Sequence, residues 1–95
     1  MSTLHTIATL PNSPEQLAQM LQYRGENDPV LLMQDAVLAA SQPRFAALLN
    51  RMPVYLLADD LSARGTAPLP ELSAQPIDYN QFVQLCLDTN QQIAW

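Results

Sequence analysis

A chain of 95 residues reads as one domain, residues 1–95, of a size that buries only roughly 60 to 65% of its unfolded surface. Hydrophobic residues make up 48% and charged ones 14%, against roughly 25% charged in an ordinary globular protein, so surplus apolar surface is expected to meet another subunit. The net charge of −5, with four arginines (Arg24, Arg44, Arg51, Arg64) and no lysine, excludes gripping a phosphate backbone unaided.

Thr3 to Ile7 reads as the first strand. Ser13-Pro14-Glu15-Gln16 is a helix start: Ser13 caps, Pro14 suits the first helical position and Gln16 completes a capping box. The helix is expected to bury Leu17, Met20 and Leu21 and to end near Gly25. Val30 to Met33 is an unbroken apolar run that stops at Gln34-Asp35, and Val54 to Leu57 stops in the same way at Ala58-Asp59-Asp60. Each reads as a buried strand leading into a helix.

Between those strands the pattern predicts a short helical turn from Asp35 through Ala40, then a helix opened by Pro43. There Phe45, Leu48, Leu49 and Met52 recur at helical spacing and should face the sheet. Asp59 is expected to cap the helix after the third strand, and Arg64-Gly65 to end it. Thr66 to Pro76 carries three prolines and reads as a loop. A short strand over Gln75 to Ile77 follows. Asp78 caps a last helix with Tyr79, Phe82, Val83 and Cys86 on one stripe, and Gln92 to Trp95 forms an edge strand with Ile93 and Trp95 on one side.

Strands joined through helices pair in parallel. The expected fold is α/β in three layers: a mostly parallel five-stranded sheet with helices on both faces. Such sheets place ligand and partner sites at the carboxyl ends of their strands, and the candidate interface or strand-end residues are His5, Asp35, Asp60 and Trp95.

The chemistry expected there is sparse. Cys86 lies on the apolar stripe of the last helix with no base within a turn, so it reads as inert core packing. His5 lies within a strand and reads as a hydrogen-bonded structural residue, and one His with one Cys cannot assemble a metal cluster. Capping explains Asp35, Asp59 and Asp60; a phospho-acceptor site would also need a lysine. Two glycines allow neither a dinucleotide fingerprint nor a Walker loop, so no cofactor is expected. Trp95 either packs back on the sheet or anchors a partner. The single cysteine excludes an internal disulfide, the start Met1 to His5 lacks the features of a signal peptide, and no run reaches membrane-span length, so the expected location is cytoplasmic.

Several blocks together resemble the DsrE/DsrF/DsrH family, in its DsrH-like branch. They are Leu4-His5-Thr6, Val30 to Val37, Val54 to Leu57 with Asp60 to Gly65, Asp78-Tyr79 with Phe82-Val83, and Ala94-Trp95, spanning essentially the whole chain. The resemblance implies a cytoplasmic sulfur relay toward 2-thiolation of the tRNA wobble uridine. In that relay such a chain joins TusC-like and TusD-like paralogues in a heterohexamer. The working cysteine belongs to the TusD-like subunit, and a TusE-like protein takes the sulfur onward, so tRNA is a partner only indirectly. Members that serve sulfur oxidation carry a cysteine in the first helix, where Met20 aligns here; a thioether cannot form a persulfide. The expected role is therefore a non-catalytic subunit with no catalytic, cofactor or metal residues. The alternatives are a persulfide carrier using Cys86, a sulfur-oxidation relay, and a homo-oligomeric binding module using the Asp35 and Asp60 junctions.

Overall fold

The computed structural model describes residues 2–95; Met1 lies outside them. The strands are β1 (Thr3–Ile7), β2 (Val30–Leu32), β3 (Val54–Leu57), β4 (Gln75–Ile77) and β5 (Gln91–Ala94). They form one sheet in the order β4-β3-β2-β1-β5, with every pair parallel. The α-helices are α1 (Pro14–Met20), α2 (Ala46–Leu49), α3 (Ala58–Ala63) and α4 (Tyr79–Asp88). Two 3₁₀ helices, Gln34–Ser41 and Pro43–Phe45, precede α2.

Strand alternation divides the sheet into two unequal faces. Ile7, Val30, Leu32, Val54 and Leu56 point to the larger core, which α1, the 3₁₀ segment, α2 and α3 close with Leu17, Val37, Phe45, Leu49 and Leu61. Full burial of Phe45 there contributes about 2 to 3 kcal/mol. Leu4, Leu31 and Ile77 point the other way, where α4 alone covers them with half-buried Phe82, Leu85 and Cys86. Helices thus lie on both faces, as expected, but one face has a single helix.

The strand order explains this imbalance. From β1 the chain moves outward through β2 and β3 to β4, and α4 then returns across the whole sheet to lay β5 on the far side of β1. The reversal of direction lies between β1 and β5, which makes their carboxyl ends the switch point of the fold.

Local chemistry sets most boundaries. Ser13 Oγ accepts from Gln16 N–H at 3.1 Å with Pro14 at the first helical position; the Gln16 carboxamide turns back to Asn12 N–H, one residue short of the expected box. Asp78 and Gln81 form the full reciprocal box on α4. Gly65, at φ 59°, closes α3: Gly65 N–H bonds Ser62 C=O and Thr66 N–H bonds Leu61 C=O, a Schellman end.

Four expectations need correction. Helix α1 stops at Met20, short of Gly25, since a run of turns replaces its last stretch, and Met20 itself is only half-buried. Asp59 does not cap α3, because the helix begins at Ala58, two residues before the start an Asp59 cap would set, with Leu57 as its cap. The segment before β3 is mostly 3₁₀ and only Ala46–Leu49 is α-helical, although Phe45, Leu49 and Met52 are buried as the spacing predicts. The α4 stripe is not a buried face: Tyr79 and Val83 are exposed, and no residue of α4 is fully buried.

Candidate functional site

His5 is 5% exposed at the centre of a short polar chain. Its Nε2 lies 3.3 Å from Asp28 Oδ2, and the Trp95 indole Nε1–H donates to its Nδ1 at 3.2 Å. The indole nitrogen has only a proton to give, so Nδ1 must offer its lone pair; Nε2 then carries the ring proton and donates to the carboxylate. The two rings are nearly coplanar, 16° apart with centroids at 6.3 Å, which is the geometry of an in-plane hydrogen bond and not of a face-to-face stack. Register places this chain: His5 pairs with Ile93 across β1 and β5, so Ile93 and Trp95 share the His5 side of the sheet.

Asp28 stands just before β2 and also accepts from Thr3 N–H at 3.0 Å and Gly25 N–H at 2.9 Å. The Thr3 bond holds its carboxyl below the usual carboxylate range; partial burial works against that, while the Gly25 bond and the His5 ring lower it further. Arg24 ties the same turn together by donating to the carbonyls of Gly25, Glu26 and Asp28. A Cβ at Gly25 would sit 3.1 to 3.2 Å from the Asp28 carboxylate, so a larger residue there would push the carboxylate by a few tenths of an ångström.

Asp35 and Asp60 are brought together at the carboxyl ends of β2 and β3. Arg64 Nε donates to Asp35 Oδ1 at 2.9 Å, and its Nη1 lies 3.7 Å from Asp60 Oδ1. The other Asp60 oxygen accepts from Gln34 N–H at 2.6 Å. Contrary to the expectation from sequence, neither aspartate caps its own helix; Asp60 instead caps the neighbouring 3₁₀ helix across the junction. Gln34, at φ 50°, is the only non-glycine residue in the left-handed region among those described. Among the described residues no hydrogen bond joins this cluster to the His5 chain.

A cleft of about 170 Å³ opens at the switch point, where Thr9, Leu10, Pro11, Asn12, Gln16, Met20 and Trp95 line it. No charged side chain lines that cleft, and Trp95, 47% exposed, forms one wall. Trp95 therefore packs on the sheet through its nitrogen, the first of the two readings from sequence, and leaves its ring half exposed.

Cys86 is half-buried between α4 and the sheet, less enclosed than the apolar stripe implied. No hydrogen bond or ion pair reaches its sulfur among the described residues, and the one imidazole of the chain is engaged by Asp28 and Trp95. Among the described residues no group of three His, Cys, Asp or Glu could hold a metal, and no helix is long and apolar enough to cross a membrane. The residue missed from sequence is Asp28. The Asn27-Asp28-Pro29 turn marks it as a loop residue, but its reach to Thr3 depends on strand pairing that no local pattern reveals.

An all-parallel five-stranded sheet, reversed at β1, with a polar chain behind an exposed tryptophan at the switch point, defines a small doubly wound α/β domain. The family model described as DsrH like protein matches residues 11–92. The chain is 38% identical to Protein TusB of Erwinia tasmaniensis over 95 aligned positions, covering 97% of this chain and 99% of that one. It is 38% identical to Protein TusB of Escherichia coli O1:K1 and 35% to that of Pectobacterium parmentieri, with the same coverage. The crystal structure of the E. coli ychN protein superimposes with a TM-score of 0.72 at 20% identity over 100% of both chains, a likeness of fold. The chain belongs to the DsrH family.

Proposed function

We propose that this protein is a non-catalytic subunit of a sulfur-relay complex that passes persulfide sulfur toward 2-thiolation of the tRNA wobble uridine. The family and the full-length likeness to TusB proteins support the relay. The observation that carries the non-catalytic reading is the placement of Cys86. A relay thiol must attack the outer sulfur of a donor persulfide as a thiolate, expelling the donor's thiolate, which needs access and a nearby cation or base. Cys86 has an apolar bed of Leu4, Leu31 and Phe82, and no guanidinium or imidazole bonds it among the described residues.

The subunit acts by shape. It presents uncovered apolar surface on α4 and β5 to TusC-like and TusD-like paralogues, and the working cysteine belongs to one of them. Its acidity leaves tRNA and the TusE-like acceptor to be met through the assembly, in the cytoplasm. The half-exposure of Cys86 keeps one rival in play, a carrier that holds persulfide on that sulfur.

One reconstitution separates them. The complex is assembled with its paralogues from wild type or from the Cys86→Ser variant, charged with a persulfide donor, and assayed for sulfur delivered to the acceptor. Equal transfer from both complexes is expected. Loss of transfer with an intact C86S complex moves the nucleophile into this chain and overturns the proposal.

A further inference from the structure

The Asp28–His5–Trp95 chain has one proton too few to be symmetric. Asp28 accepts, His5 donates from Nε2 and accepts at Nδ1, and Trp95 donates. A second proton on the ring would leave Nδ1–H facing the indole N–H, two donors 3.2 Å apart in a site where His5 is 5% exposed. Asp28 would still hold the imidazolium through Nε2. The strain therefore falls on the Trp95 side alone.

Among the described residues nothing else charged confronts the ring. The Asp28 carboxylate is the one ionic group among them on it, with the Arg24 guanidinium behind that turn, 2.7 Å from the Asp28 carbonyl. β1, β2 and β5 carry no other ionisable side chain, and Glu15, the only one on α1, lines a separate cleft with Arg44 and Arg51. Trp95 is held otherwise by its backbone N–H on Thr6 C=O at 2.9 Å, and β5 has no buried residue.

We propose that His5 is a proton-operated latch: neutral, it pins the Trp95 indole as one wall of the switch-point cleft, and on protonation it releases the indole and opens that wall. The coupling is reciprocal, so displacing Trp95 favours the protonated ring by the same factor. The latch regulates access to the cleft lined by Leu10, Asn12, Gln16 and Met20, and it is independent of any thiol chemistry.

The chain carries one tryptophan and one histidine, so each reports without interference. Acrylamide quenching of Trp95 fluorescence is expected to rise about twofold or more between about pH 8 and about pH 5. In His5→Gln, whose carboxamide both donates to Asp28 and accepts from Trp95 without titrating, quenching should stay level across that range. Equal quenching at both pH values in the wild type, or the same rise in H5Q, overturns the latch. In the wild type alone, the indole N–H and the His5 ring proton observed by NMR should move with one shared midpoint; separate midpoints overturn it whether or not H5Q folds.

Discussion

Asp28 accepts from the N–H groups of Thr3 and Gly25 and from the His5 ring, so one carboxylate closes the turn before β2 and ties it to β1. An amide in its place would turn a donor toward these donors. Asp28→Asn should therefore lower stability by about 1 to 3 kcal/mol, read as a fall in the urea midpoint at neutral pH. Because the folded carboxyl titrates below its ordinary range, the unfolded chain binds more protons in acid. The stabilisation is complete above about pH 4 and is lost as pH falls through the lower folded value. A urea midpoint that declines below about pH 4 in wild type should lose part of that decline in D28N. An unchanged decline would mean that other carboxylates carry it.

Gly65 and Gln34 share a left-handed backbone and differ in what tolerates it. At Gly65 a Cβ would meet nothing within 4 Å, so Gly65→Ala should cost only the conformational penalty, about 1 kcal/mol, seen as a lower melting temperature. At Gln34 the strain is held by the Asp60 carboxylate on its N–H, so Gln34→Gly should stabilise by about 0.5 to 1 kcal/mol while Asp60→Ala costs about 1 to 2 kcal/mol by chemical denaturation. Opposite signs at two bonded positions identify the strain; a destabilising Q34G would disprove it. These elements also explain what sequence could and could not reveal. Ser13, Asp78 and Gly65 act within four residues of themselves, so their helix ends were legible from spacing. Asp60 acts on Gln34 across 26 positions, and His5 on Trp95 across 90, so the caps and the polar chain emerge only once the parallel strands have paired. The strands themselves were legible because Val30–Leu32 and Val54–Leu57 are apolar runs too short for helices.

The two edges of the sheet are built differently. Pro76 removes a backbone donor from β4 and blunts that edge, whereas β5 is uncharged, free of proline and exposed along its length. Beside it, α4 is apolar on both sides: Phe82 and Leu85 face the sheet, while Tyr79, Val83 and Leu87 recur every fourth residue toward solvent. The helical stripe that reads from sequence as a single buried face is the overlap of these two, and its outer half finds no cover in this chain. A helix with apolar groups on opposite sides is expected where one side packs at home and the other meets a subunit. Leu87, 74% exposed, tests this directly. Leu87→Glu should change the stability of the isolated chain by no more than about 0.5 kcal/mol, since little of the side chain leaves a packed site. The same substitution should sharply reduce recovery of the paralogous subunits with a tagged chain, because an interface core does not accept an unpaired carboxylate. Full recovery with L87E would place the subunit contact away from the outer face of α4, with the open β5 edge as the surface left to carry it.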